Sequence, residues 1–370
     1  MEDIVIIGGG LAGLISSIGL ARQGLAVTLV EKKAYPFHRV CGEYVSNEVL
    51  PYLAALGADP APLQPVRISR FLLSSPSGRT LEANLDLGGW GLSRYTLDHF
   101  LYQVALQQGV RFHTRRQAEK VTFSHDAFTI QLADGLTLQA PVVLGAYGKR
   151  ASLDRNLNRP FFRQRSPYIG VKYHVRLPLP KDQIALHNFK DGYAGISAVE
   201  NDRYCFCYLT TRQNLRTHGT IPAMEKAVLH QNPHLRRIFQ EAEFLYAQPE
   251  VINEVSFATK SCLEDHMLMC GDAAGMIAPL CGNGMAMAIH SGKLATEQVL
   301  TYFTNGRNRE QLEQGYSKAW KNQFATRLQI GRAVQRLFGH PVLTELAVGA
   351  LKQLPSAVQL LMRQTHGQPF

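Results

Sequence analysis

Apolar residues fall into two kinds of run along this chain, and the change between them divides it. Asp3–Ile7, Ala26–Val30, Pro141–Leu144 and Met267–Cys270 are short, continuous and rich in branched residues, the pattern of strands buried on both faces. Between the first two, Leu14–Gln23 reads as a helix that stops at Gly24. A second amphipathic helix is predicted over Leu97–Gln108, capped by Thr96 and ended by Gly109. Residues 46–56 start another. Val110–His113 is predicted as a strand and residues 119–124 with 127–139 as a β-meander. Arg70–Ser75 and Arg79–Leu85 flank Ser-Pro-Ser-Gly as a hairpin.

From Phe161 to Phe257 the pattern alternates instead. Tyr168–Leu177, Ile184–Phe189, Gly192–Val199 and Arg203–Leu209, each bounded by turn residues, predict an antiparallel sheet, followed by a helix over 221–240 with Pro222 in its first turn. Helical periodicity then returns over Met285–Thr304, a basic stretch at 308–339, Pro341–Lys352 and Ser356–Arg363. The expectation is an α/β chain. A Rossmann-like nucleotide-binding domain is assembled from 1–65, 91–160 and 258–305, an inserted sheet domain from 66–90 and 161–257, and a helical C-terminal region from 306–370.

Candidate chemistry sits at the strand ends. The first strand runs into Gly8-Gly-Gly-Leu11-Ala12-Gly13, which contains G-x-G-x-x-G at Gly8, Gly10 and Gly13, and the second strand ends on Glu31. In that order Gly8 permits the turn, Gly10 lets a diphosphate reach the backbone, and Gly13 lets the helix lie close to the strand. The N-terminus of the helix that follows receives the negative charge, with Leu11 and Ala12 in the turn that leads into it, and Glu31 binds ribose hydroxyls. Lys32 falls near the adenosine phosphates, and Arg39 leads into a Cys41-Gly42 turn close to the cofactor. At the far end Met267–Cys270 runs into Gly271-Asp272-Ala-Ala-Gly275, and Gly282, Asn283, Gly284 and Met285 open a helix whose N-terminus favours negative charge. Asp272 is placed to hydrogen-bond a polyol chain.

Bulk composition narrows the reading only a little. The 370 residues are 45% hydrophobic and 18% charged, as in ordinary globular domains. Six cysteines include no C-x-x-C pair, which argues against a zinc site or a disulfide framework, and no metal is expected. The first apolar run is the nucleotide-binding strand rather than a leader, so a cytoplasmic location is expected. A formal net charge of +10 without an aromatic-interleaved basic stripe argues against nucleic acid and leaves a surface attractive to anions. The apolar faces of the last two helices add an expectation of peripheral membrane contact.

These positions together resemble the FAD-dependent oxidoreductases that include aromatic-hydroxylase-type monooxygenases, flavin halogenases and geranylgeranyl reductases. The resemblance spans residues 1–305: the Gly8–Gly13 fingerprint with Glu31, Arg39-Val-Cys-Gly-Glu43, Leu92-Ser-Arg94 with Asp98, and Gly271-Asp272 through Gly284. It implies FAD held by these segments, Arg94 reaching the cofactor, and NAD(P)H or an electron-donor protein as transient reductant. Cys41 is similar to the reductase cysteine near the flavin and would be a proton donor there. Two departures stand out. Tyr147 replaces the aspartate of the family's Gly-Ala-Asp-Gly segment, and Trp90 and Trp320 form no Trp-x-Trp halogenase signature. The resemblance puts hydroxylation of a hydrophobic aromatic or polyketide-like molecule first, alkene reduction of an isoprenoid or polyene chain second, and flavin binding without turnover third. In either enzyme the substrate wall is expected on the 168–209 sheet, with Tyr173 and Tyr193 as contacts.

Overall fold

The computed structural model describes residues 2–164, 166–278, 282–337, 340–365 and 367–370. The four continuous apolar runs come together in one sheet. Its six strands lie in the order Leu263–Glu264, Met267–Met269, Val142–Gly145, Ile4–Ile7, Val27–Glu31, Arg111–Thr114. Every pairing is parallel except the outermost one, Leu263–Glu264 with Met267–Met269. Ile4–Ile7 is buried throughout because the Leu11–Ala21 helix covers one face of it, and that helix packs in turn on Gly284–Thr304. The strands therefore present their carboxyl ends, and both helix N-termini, to one side of the molecule.

The alternating region forms a larger sheet along the path Glu243–Phe244, Tyr168–Arg176, Arg203–Thr211, Gly192–Val199, Gln183–Phe189, Val66–Ser74, Thr80–Gly91, Tyr44–Ser46. Tyr44–Ser46, from the early nucleotide-binding segment, pairs with Gly89–Gly91 and ties the two sheets together. The meander residues stand alone as a three-stranded sheet over Ala118–Ser124, Ala127–Leu132 and Thr137–Ala140.

Alternation decides what each face of the large sheet meets. One face, with Val171, Tyr173, Phe206 and Tyr208, packs on helices Ile221–Val228 and Pro233–Glu241. The other, with Leu73, Leu186, Tyr193 and Leu209, packs on Val348 and Val358 of the C-terminal helices Pro341–Lys352 and Pro355–Thr365. The single helix expected over 221–240 is in fact two, because Asn232 accepts the backbone N–H of His234 and of Leu235 and starts a new helix at Pro233. The helix expected from Leu97 begins earlier, at Arg94, with Ser93 rather than Thr96 as its cap. Ser93 Oγ accepts the N–H of Thr96. Within the stretch Gly271-Asp272 through Gly284 that carries the resemblance, residues 279–281 lie outside the described residues.

Candidate cofactor and substrate cavity

A cavity of about 1000 Å³ runs from the glycine turn, past the Cys41 turn and the Asp272 strand end, to the C-terminal helices. At its nucleotide end the backbone has the shape a diphosphate needs. Gly8 sits at φ +106°, where a Cβ would meet Ala146 O at 2.5 Å, and a Cβ on Gly13 would meet Gly8 O at 2.0 Å. By contrast the nearest atom to a Cβ on Gly10 is Arg94 Nη2 at 3.9 Å, so that side is open to the cavity. The Leu11–Ala21 helix has Gly10 as its cap, no side-chain capping bond and no acidic residue in its first turn. Its N-terminal N–H groups are thus left for an anion. Gly13 lies under this turn rather than on the cavity wall.

Glu31 is 5% exposed at the end of its strand and lines the cavity. Its Oε2 accepts the N–H of Gly9 at 2.9 Å and Arg39 Nη2 at 3.3 Å, and its Oε1 the N–H of Lys33 at 3.0 Å. Lys32 lines the cavity beside it. Arg39 and Arg94 converge on one carboxylate, Asp98. Arg39 Nε donates to Oδ2 at 2.9 Å, while Arg94 donates to Oδ1 at 2.6 Å and to Oδ2 at 2.8 Å. Burial works against the Arg94 cation, yet Asp98 outweighs it and raises the guanidinium pKa, with a further contribution from a hydrogen bond with the Cys41 side chain. Arg94 therefore remains charged at the cavity wall.

At the other end of the cofactor region, Asp272, Gly282, Gly284 and Met285 line the cavity, and the Gly284–Thr304 helix starts there with no capping side chain and no acidic residue in its first turn. Asn283 turns inward instead, hydrogen-bonding the Glu48 carboxylate. Beneath this turn Lys260 Nζ donates to Asp272 O at 2.7 Å and to Lys149 O at 2.6 Å, and burial pulls its pKa down to about 8. Tyr147 lines the cavity where the family aspartate would stand, with its hydroxyl on Asp154 Oδ1 at 3.1 Å.

Two uncapped helix N-termini, a carboxylate at a strand end and an open glycine turn thus face one elongated space, a donor set that fits FAD. The family described as FAD binding domain matches residues 1–328. The chain belongs to this family of FAD-dependent oxidoreductases. Among curated relatives it is similar to conditioned medium factor receptor 1 of Dictyostelium discoideum, 22% identical over 95% of this chain and 74% of that protein. It is also similar to a digeranylgeranylglycerophospholipid reductase of Methanococcus vannielii, 21% identical over 87% of this chain and 82% of that one. Among solved structures the flavin-dependent brominase Bmp2 superposes with a TM-score of 0.81 at 18% identity, covering 98% of this chain and 93% of its own, a likeness of fold.

The Cys41 turn holds a buried charge cluster that sequence reading passed over. Glu43 is 0% exposed, with a left-handed backbone at φ 55°. Its Oε1 accepts the N–H of Arg94 at 2.8 Å and the ammonium of Lys172, and its Oε2 lies 2.6 Å from His174 Nε2. Burial would raise the Glu43 pKa, but Lys172 and His174 outweigh it and hold the carboxyl at about 2. Lys172 also donates to Arg39 O at 3.1 Å, and Cys205 Sγ to Cys41 O at 3.2 Å, so the cluster braces both ends of the cysteine turn. Glu43, His174 and Cys205 offer ligand atoms within 4.8 Å of one another, but the cation on Glu43 is the Lys172 ammonium. The one signal in the sequence was the pair of polar residues, Lys172 and His174, two apart in a strand that is otherwise uncharged up to Val175.

Beyond Cys41 the cavity becomes an apolar arm between the large sheet and the C-terminal helices, walled by Phe71, Leu73, Leu81, Leu85, Ile184, Leu186, Met276, Val334, Leu351, Val358, Leu361 and Met362. Tyr193 faces into this arm. Tyr173, the other expected contact, does not. It pairs across the sheet with Phe206 whereas Tyr193 pairs with Leu209, so the two tyrosines point to opposite faces. Its hydroxyl donates to Glu225 Oε1 at 2.8 Å inside the core under the far face.

Proposed function

We propose that this oxidoreductase reduces a carbon–carbon double bond in a long, unbranched or isoprenoid hydrocarbon chain. The observation that carries this reading is the apolar arm joined to the cofactor region at Cys41. Of Tyr173 and Tyr193, the two contacts expected on this sheet, Tyr193 alone lines the cavity. That wall grips a chain by apolar contact and offers little with which to orient a phenol, which moves alkene reduction ahead of hydroxylation. The digeranylgeranylglycerophospholipid reductase among the relatives supports the same substrate class.

Gly8, Gly10, Leu11, Ala12, Glu31 and Lys32 would hold the adenosine diphosphate portion of FAD, and Asp272 with the Gly284 helix N-terminus the remainder. Bound there, FAD supplies the two electrons of the reduction as hydride, replenished by NAD(P)H or an electron-donor protein. The protein's part is to exclude water, lay the alkene along the arm and deliver a proton. The Cys41 thiol would give its proton to the alkene carbon that does not take the hydride, and the thiolate would recover a proton from solvent. Arg94 stabilises the sulfur while it is charged.

The test is product mass under reducing conditions. The FAD-loaded protein, given NADPH and a polyprenyl substrate without oxygen, should yield product heavier by two hydrogen atoms per bond reduced, and Cys41→Ala should abolish it. Oxygen uptake matched by gain of one oxygen atom in an aromatic substrate would replace reduction by hydroxylation. Flavin that cycles with no substrate of either kind would leave a binding protein.

A further inference from the structure

We infer that the outward face of the Pro341–Lys352 helix, continued onto Pro355–Thr365, seats the protein on an anionic lipid bilayer and opens the apolar arm to the bilayer's hydrocarbon. This deepens the reading just given, since it rests on a substrate that partitions into lipid.

The helix is apolar on two sides. Thr344 and Val348 are buried toward the sheet, and Leu351 lines the cavity. Val342, Leu343 and Leu346, on the opposite stripe, are 61%, 45% and 66% exposed. Leu354, between the two helices, and Leu361, on the second, extend this surface at 55% and 40% exposure, and Leu361 also lines the cavity. The apolar surface is therefore continuous from solvent to the inside of the arm, which a patch built only to meet a folded partner would not require.

Charge around the patch suits anionic headgroups. The carboxylates on and against these helices are already engaged: Glu345 accepts the N–H of Ser77 at 2.6 Å and its hydroxyl at 3.0 Å, and Asp86 pairs with Arg363 at 2.8 Å. Lys352 is exposed at the helix end, Arg79 lies near Glu345, and the whole chain carries +10. Among the described residues no helix is long and apolar enough to cross a membrane, so the contact is one of the surface.

The experiment is co-sedimentation of the FAD-loaded full chain with phosphatidylcholine vesicles, with and without phosphatidylglycerol. Wild-type protein should sediment with the anionic vesicles and be released by salt. Leu343→Glu with Leu346→Glu should lower the bound fraction at least about fivefold, as expected when an interfacial apolar face gains charge. FAD absorbance, melting temperature and turnover of a short, water-soluble prenyl alcohol should stay unchanged. Val342→Ser with Leu346→Ser, milder at the same sites, should weaken binding in the same direction. Wild-type protein that stays in the supernatant with both vesicle types, or variants that bind as it does, would overturn the inference. So would a dimer that the variants dissociate, since the patch would then belong to a second copy. Failure on the short alcohol by wild type as well would count against the reductase reading and leave the vesicle result to stand by itself.

Discussion

Glu43 occupies a backbone region that costs a non-glycine residue energy, and four groups converge to keep it there: the Arg94 N–H, Lys172, His174 and the turn itself. Removing its charge leaves the Lys172 ammonium buried without a countercharge. Glu43→Gln should therefore destabilise the protein by roughly 3–5 kcal/mol, read as a drop in denaturant midpoint, and should loosen the Cys41 turn. A variant as stable as wild type would show the cluster to be incidental. Tyr193 and Tyr173 supply a matched pair. Tyr193→Phe should change KM for the proposed chain substrate, whereas Tyr173→Phe should leave KM alone and cost about 1 kcal/mol through its lost bond to Glu225. At this scale legibility followed backbone constraint. Gly8, Gly10 and Glu31 were readable as cavity-lining positions because a strand-end turn fixes where they lie. The two tyrosines were not separated because each strand was read singly, and only the pairing of both with the Arg203–Thr211 strand shows that they part. Lys172 was missed because its partner, Glu43, is 129 positions away.

Among the elements, the Leu11–Ala21 helix is held against the first strand by the absence of a side chain at Gly13. A methyl there would meet Gly8 O at 2.0 Å, a backbone atom that can yield only by moving the turn. Gly13→Ala should add roughly 1–3 kcal/mol of overpacking strain and strip FAD during gel filtration. Retained yellow colour with unchanged cofactor affinity would contradict this account of the turn. The inner strands of both sheets were legible to within a residue or two, since continuous and alternating apolar runs carry different periods. The hairpin expected at Arg70–Ser75 and Arg79–Leu85 runs longer, over Val66–Ser74 and Thr80–Gly91, and the short edge strands Tyr44–Ser46, Glu243–Phe244 and Leu263–Glu264 were missed. Helix starts were less legible. Thr96 was the expected cap, whereas Ser93 holds that place, with the Glu200 carboxylate taking the Ser93 N–H and hydroxyl and the Thr96 hydroxyl at the helix start. That start places Arg94 in the first turn, four residues before Asp98, where the two bond.

The whole molecule should lose stability in mild acid for an identifiable reason. Burial, with His234 nearby, depresses the His187 pKa from 6.5 to about 3, and burial beside Lys293 and Arg327 does the same to His290. Both are neutral in the folded chain while the unfolded chain binds protons below 6.5, so stability should rise with pH between about 3 and 6.5 and level off above. His187→Gln should flatten part of that slope in urea titrations at several pH values, and an unchanged slope would place the titration elsewhere. At this scale the sequence disclosed the nucleotide-binding fold, because its turns recur in chain order. It did not disclose the apolar arm, whose walls come from Phe71 through Met362 and exist only after the C-terminal helices fold over the sheet.

The two ends of the cofactor region, the Gly8 turn and the Gly284 helix start, are joined through a sheet whose strands come from opposite halves of the chain. During synthesis, a ribosome must therefore release more than three-quarters of the polypeptide before the cleft has its second jaw. A nascent chain arrested short of Gly284 should emerge colourless however much FAD surrounds it, with the Leu11–Ala21 helix still lacking the Gly284–Thr304 helix that packs on it.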